Sequence, residues 1–267
     1  MRKGIIVILC SSLAAGAALA GMGSLINSFP NRGRSTHYGM AADANYLYSY
    51  HYDATTDYPI NILRRADGSF VRSIAVPFPY LENRYVRGLC FEGGGFLRVN
   101  NYNNRYVARL RASNGSLLST WTWSGGSSRY GLCINGDKEN YGTANRIYQS
   151  YLTGLWWVSN TNGSLISSFQ APHTNYAYDL AWDYTHDLIW YGNYATGWVM
   201  GMTPAGSVME SWRVESTVSY PFGIAYHAGR LYVSTSGGSP DEYIWVYECT
   251  YTDAEPASLG RVKAIFE

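Results

Sequence analysis

"RASNGSLLSTW", residues 111–121, begins with turn-forming residues and runs on as a strand. The phrase returns as "SNTNGSLISSF" at 159–169, and its core recurs as "GSLINSF" (23–29), "GSFVRSI" (68–74) and "GSVMESW" (206–212). The glycines that open these phrases, Gly23, Gly68, Gly115, Gly163 and Gly206, stand 45, 47, 48 and 43 residues apart. A fixed period in that range marks a stacked or circular array of supersecondary units, and about 40–50 residues is the length of one four-stranded blade. Asp67, Asn114 and Asn162 precede three of the glycines. Asp-Gly and Asn-Gly pairs tolerate the positive φ angles of a tight type I′ turn, so each phrase is expected to open the last strand of a hairpin. Asn114 and Asn162 also fit the Asn-x-Ser glycosylation pattern, but the turn accounts for them.

A second phrase keeps step with the first: "YGMAAD" (38–43), "RGLCFE" (87–92), "YGLCIN" (130–135), "YDLAWD" (178–183) and "FGIAYH" (222–227). These are expected to be innermost strands. Each leads to a partner strand such as "NYLYSY", "GFLRVN", "HDLIWYG" or "GRLYVS", while "NGDKENYGTANRIYQSY" gives the third unit no clean partner. Alternation with period 2 is visible throughout and no stretch has a helical moment. The expectation is an all-β chain folded as a single β-propeller of five four-stranded blades, with an extra terminal strand. Five inner phrases accompany six outer ones, because "GRVKAIF" (260–266) repeats the spacing of "GSLINSF". One terminal copy should complete the last blade, with the N-terminal copy favoured. The other extends a sheet or lies free, where it could join the open edge of a neighbouring molecule.

"PFGIAYHAGRLYVSTSG" at 221–237 resembles the NHL and YVTN-type propeller repeats, through Pro221, Gly223, Ile224, Ala225, Gly229, Leu231, Tyr232 and Val233. His227 and Ser234 stand where that pattern often has acids. The resemblance implies a propeller and no particular chemistry.

The N-terminus reads as a leader rather than as structure. "MRKG" is basic, "IIVILCSSLAAGA" is apolar, and "ALA" at 18–20 offers small residues before Gly21. That is the pattern of a secretory signal peptide over 1–20, leaving 21–267 as the propeller in a secreted, extracellular or periplasmic setting. No later segment approaches the ~20 apolar residues of a membrane span. The full chain carries a net charge of +1, so losing Arg2 and Lys3 with the leader takes it to −1. Nucleic-acid binding wants a clearly basic surface, and that class is set aside.

Chemistry is sparse. Nucleophile elbows, metalloprotease helices and phosphate loops are absent, and "EGGGF" (92–96) reads as a hairpin turn. Cys90 and Cys133 occupy the inner-strand position held by Ala41, Ala181 and Ala225 in the other units, so they read as small apolar residues rather than as a disulfide. Asp43, Glu92 and Asp183 end three inner strands and read as turn-holding groups. Plant-type and bacterial glutaminyl cyclotransferases are similar propellers whose inner strands begin with an acid-bearing Phe-x-x-Gly-Leu pattern. Here "YPFGIAY" lacks the acid and "YVRGLCF" puts Arg87 there. No catalytic residue and no metal ligand is assigned. A calcium ion at the channel mouth, near Asn101, Asp179 and Asn193, is the one cofactor the pattern leaves open.

The binding site is placed at that mouth, where loops enter the inner strands. The candidates are His37, Tyr38, Arg87, Arg129, Tyr130, Tyr178, Asp179 and Phe222, joined by His51, Asn101 and Asn193 from the second loops. These positions differ between units while the strand interiors repeat. Segment 61–111 holds nine arginines against Asp67, Glu82 and Glu92, which favours anions. The expected function is a non-catalytic binding or structural scaffold for a protein, a glycan or another anionic surface ligand. The alternative is a secreted hydrolase, lyase or cyclotransferase with a small site at the axis.

Overall fold

The computed structural model describes residues 22–30, 37–51, 60–76, 86–101, 105–123, 129–135, 146–151, 153–214, 220–236 and 243–249. The segment 1–20, expected to be a leader, and the tail phrase 260–266 lie outside them. The described chain forms twenty strands. Blade 1 is β2 (His37–Ala42), β3 (Tyr46–His51), β4 (Ile60–Arg64) and β5 (Phe70–Ile74). Blade 2 is β6 (Val86–Gly93), β7 (Phe96–Asn101), β8 (Tyr106–Arg111) and β9 (Leu117–Thr122). Blade 3 is β10 (Arg129–Ile134), β11 (Ile147–Tyr151), β12 (Thr153–Ser159) and β13 (Leu165–Asn175). Blade 4 is β14 (Ala177–Asp183), β15 (Leu188–Asn193), β16 (Trp198–Met202) and β17 (Val208–Arg213). Blade 5 joins β18 (Tyr220–His227), β19 (Arg230–Ser236) and β20 (Tyr243–Glu248) to β1 (Leu25–Pro30) from the other end of the chain. The five antiparallel sheets form a five-bladed β-propeller, as the repeats predict. No helix among the described residues is long and apolar enough to cross a membrane.

Blade 3 is more regular than its sequence suggests. The "IYQSY" of 147–151 is its second strand, and Gln149 and Ser150 are fully buried there, which hides the usual apolar alternation. Between neighbouring blades lies one apolar cluster each. Ile62 meets Leu97 between blades 1 and 2, and Val107 meets Leu132 between 2 and 3. Trp156 meets Tyr191 between 3 and 4, Trp190 meets Leu231 between 4 and 5, and Ile244 meets Leu47 where blade 5 closes on blade 1. Cys90 and Cys133 serve successive clusters rather than one, and both are free and buried, as is Cys249.

The repeated phrase proves to be two halves of one contact. Its glycine packs under the residue six places along the phrase of the preceding blade. A Cβ on Gly68 would lie 2.1 Å from the Phe29 ring, one on Gly163 would lie 2.6 Å from Trp121, and one on Gly23 would lie 2.8 Å from Trp212. Gly206 faces Phe169 at 3.5 Å, and Gly115 sits against Ile74 and the carbonyl of Ala75. Five such contacts run round the rim and return to their start.

The turn itself differs from the type I′ expectation. Gly68, Gly115 and Gly163 have φ of 68°, 73° and 91°, but Asp67, Asn114 and Asn162 stay at negative φ. The loop is longer than two residues, with the Gly68 N–H donating to the Arg64 carbonyl and the Arg64 N–H to that of Ser69, both at 2.8 Å. The Asp or Asn instead supplies its side chain, which accepts the N–H of Ser69, Ser116 or Ser164 at 2.9–3.0 Å.

Ring closure copies this turn without a covalent link. The Gly23 N–H donates to the Glu248 carbonyl at 2.8 Å and the Glu248 N–H to that of Ser24 at 2.9 Å. β1 then pairs antiparallel with β20, Ser28 opposite Trp245 and Phe29 opposite Ile244. The N-terminal copy is therefore the closing strand. Phe29→Ala should cost about 3 kcal/mol, because the ring is almost fully buried in the closing cluster. Chemical denaturation should show that loss.

Candidate functional site

Every inner strand breaks register at the same place. The ladder slips between His37 and Gly39, Val86 and Leu89, Arg129 and Leu132, Ala177 and Leu180, and Pro221 and Ile224. A bulge re-aims the residues it contains. Here the bulged residues are Tyr38, Arg87–Gly88, Tyr130–Gly131, Tyr178–Asp179 and Phe222–Gly223. The backbone N–H groups freed by the slip find buried partners on the second strands: Gly88 donates to Asn100 Oδ1, Gly131 to Ser150 Oγ and Gly223 to Ser234 Oγ. Asn100 and Ser150 pass the link on, donating to the carbonyls of Tyr130 and Ala177 in the next blade. The bulges are thereby fixed to the frame.

The five leading side chains gather into one girdle. Tyr38 meets Phe222 edge-on at 5.2 Å, Phe222 meets Tyr178 at 4.8 Å, and Tyr178 meets Tyr130 edge-on at 4.8 Å. Arg87 fills the remaining place. Its guanidinium carbon lies 3.8 Å over the Tyr38 ring and 5.4 and 5.6 Å from the Tyr130 and Tyr178 rings. Such stacking engages the face of the guanidinium while its donors lie in the plane, at the edge. Beside this girdle is a tyrosine shelf that the sequence reading missed. Tyr194 touches Tyr178, Phe222 and Tyr220 at 5.1, 4.8 and 4.7 Å, and Tyr176 closes on Tyr178 and Tyr194. Tyr176 and Tyr220 are 40% and 42% exposed. Tyr176 also holds φ at 70°, a backbone that a bulky residue adopts only under constraint. Their signal in the sequence is position alone: each lies within two residues of an inner phrase or of Asn193.

One residue deeper, four of the five blades have glycine. A Cβ on Gly39 would approach the Arg87 carbonyl to 2.9 Å, and one on Gly88 would approach Leu132 to 2.6 Å. Only Asp179 carries a side chain there. Its Oδ2 accepts the N–H of Met40 in blade 1 at 2.7 Å and of Ile224 in blade 5 at 3.0 Å. The N–H groups of Leu180 and Leu89 also favour the charged carboxyl, although Oδ1 itself makes no hydrogen bond among the described residues. Burial dominates, and it pushes the Asp179 pKa well above the usual carboxylate range against the pull of these donors. The carboxyl is thus directed at backbone rather than at Arg87.

The other nominated residues are placed as follows. Asn101 and Asn193 are buried, at 3% and 4% exposure, and Asn193 Oδ1 accepts the Ala195 N–H to hold its own turn. His37 and His51 are paired across β2 and β3, and Arg129 is paired with Tyr151. The side chains of these three lie outside the described residues. Asp43, Glu92 and Asp183 cap turns or bind neighbours: Asp43 accepts the N–H groups of Asn45 and Tyr46, Glu92 pairs with Arg98 and Arg109, and Asp183 holds His186 and Trp190. Among the described residues no three His, Cys, Asp or Glu side chains cluster as a metal site would require.

No family model and no curated protein matches the sequence. Solved structures do share the fold. The glutaminyl cyclase of Myxococcus xanthus aligns with a TM-score of 0.64 at 14% identity, covering 85% of this chain and 96% of its own. A chain of a nidogen/laminin complex aligns with a TM-score of 0.51 at 12% identity, covering 76% of this chain and 73% of its own. At such identities the likeness shows the propeller and nothing finer, and the fold serves enzymes and binding proteins alike.

The Asp179 environment has a consequence for pH. A carboxyl whose folded pKa stands above the unfolded value of ~3.9 holds its proton more tightly in the folded chain. The stability it contributes is complete below about pH 4 and is lost as pH rises towards the folded pKa. Asp179→Asn should flatten that decline. Urea melts from pH 4 to pH 8 would show it as a smaller downward slope in the variant, and an unchanged slope would assign the decline to other groups.

Proposed function

We propose that the protein is a secreted, non-catalytic propeller that binds an anionic, glycan-like ligand at the mouth of its channel. One observation carries the reading: the Arg87 guanidinium is stacked into an aromatic girdle with its edge donors in plane. A planar fork of that kind suits the two oxygens of a carboxylate or sulfate. The shelf of Tyr176, Tyr194 and Tyr220 adds stacking surface for the C–H face of a sugar ring. The one carboxyl at this depth, Asp179, is 1% exposed and engaged with backbone, which supports binding over transformation. The leader pattern over 1–20 supports secretion, and the 221–237 phrase supports kinship with the NHL and YVTN-type repeats. N-terminal sequencing of exported protein should begin at or near Gly21.

Arg87→Gln should weaken binding of an acidic oligosaccharide about tenfold or more while leaving the melting temperature unchanged. Tyr220→Ala should weaken it less, through lost stacking alone. A glycan array would read both, and equal binding of every ligand by Arg87→Gln and parent protein would place the site elsewhere. Ammonia released from a peptide with N-terminal glutamine by the parent protein would overturn the non-catalytic reading in favour of a cyclotransferase.

A further inference from the structure

A second concavity lies at the opposite end of the ring, in the groove between blades 1 and 2. Its volume is about 320 Å³, enough for a sugar residue, and every residue lining it is described. The two walls are alike in chemistry. Blade 1 contributes the half-buried Tyr46 ring and the exposed Arg72, and blade 2 contributes the half-buried Phe96 ring and the exposed Arg111. Phe96 is held in place from behind by Arg109, whose guanidinium carbon lies 4.1 Å from the ring centre and whose Nε is bonded to Glu92 at 2.8 Å. The floor is Asp43. Its Oδ1 accepts two backbone N–H groups and its Oδ2 accepts the Tyr48 hydroxyl at 2.6 Å, so it is anchored while a carboxylate oxygen has capacity for a further donor. At the lip, Gly95 has φ of 81°, and a Cβ there would meet nothing within 4 Å, so the backbone opens directly onto the groove.

The surrounding charge is one-sided. The described parts of blades 1 and 2 contain the arginines at 64, 65, 72, 87, 98, 105, 109 and 111, against the acids Asp43, Asp67 and Glu92. Glu92 is engaged by Arg98 and Arg109, and Asp43 by the turn and Tyr48. In the groove the one carboxylate of Asp43 stands against the two guanidinium groups of Arg72 and Arg111, and the balance is positive. An aromatic ring and an arginine on each wall, over an anchored carboxylate, are the groups that recognise a sugar bearing an acid: rings for its C–H faces, guanidinium forks for its carboxylate, a carboxylate for a hydroxyl. The geometry points to a binding site for a uronic-acid residue in this groove, separate from the mouth and facing the other way. A chain that carries one acidic-sugar site on each face can bridge two polymer strands, and bridging raises apparent affinity without new contacts.

The test uses the full-length secreted protein, with galacturonate as probe and galactose as the neutral control, followed by saturation-transfer NMR. The Arg87→Gln background silences the mouth. In that background galacturonate should still bind and galactose should bind more weakly. Adding Arg72→Ala or Arg111→Ala should weaken galacturonate binding about tenfold, and both residues are exposed, so melting temperatures should not move. The groove assignment is overturned if the double Arg72→Ala, Arg111→Ala change leaves binding intact, if Arg87→Gln alone abolishes it, or if galactose binds as tightly as galacturonate. The mouth reading fails independently, through an Arg87→Gln protein that loses nothing while the groove variants do.

Discussion

Five strands converge on one axis, and their backbones come so close that the second position of each inner phrase has almost no room for a side chain. Glycine fills it four times, and the one exception fills the axis for all five. Asp179 reaches from β14 to the N–H groups of Ile224 in the adjacent blade 5 and of Met40 in blade 1, which is not a neighbour of blade 4. The bulge that makes this approach possible also turns the preceding residue of each strand inward. Site and axis are therefore one construction. A chain that moved the bulge by one residue would lose the girdle together with the hub.

The rim explains why the repeat is so legible. The glycine and the large apolar residue six places later, aromatic in four phrases and Ile74 in the other, belong to one phrase but serve different contacts. Each touches its counterpart in the adjacent blade. A contact built this way can close a ring only if every phrase carries both halves at the same spacing, which is why the same words recur from Gly23 to Trp212. β1 shows the constraint most directly, because it supplies its halves from the far end of the chain and still reproduces the turn hydrogen bonds at Glu248. Apolar alternation and period were thus sufficient to read the blades and the closing strand. They were insufficient at β11, where Gln149 and Ser150 are buried for hydrogen bonding rather than for hydrophobicity. They also misjudged the Asn-Gly turns, whose side chains do the work assigned to backbone φ.

The candidate site was readable in part, for the same reason. Tyr38, Arg87, Tyr130, Tyr178 and Phe222 stand out because they vary at a fixed place in a repeating frame. Tyr176, Tyr194 and Tyr220 lie in connections that no repeat aligns, so nothing marked them until the fold brought them against Tyr178 and Phe222. Asn101 and Asn193, nominated from the second loops, are buried. Their amide side chains suit a ligand as well as they suit a turn, and only burial separates the two uses.

Electrostatics link the hub to the mouth. Arg87 belongs to the girdle and Asp179 to the next position inward along the inner strands, where its carboxyl is engaged with backbone N–H groups. The crowding that forces glycine elsewhere also strips water from Asp179, and desolvation favours its neutral form. Both N–H donors, from Met40 and Ile224, reach the same oxygen, Oδ2, and a carboxyl oxygen can accept them whether or not the group carries its proton. At the mouth the guanidinium of Arg87 already occupies the faces of the Tyr38, Tyr130 and Tyr178 rings, which leaves its own charge as the main one in the girdle. Packing at the axis thus bears on the electrostatics of the girdle before any loop residue is considered.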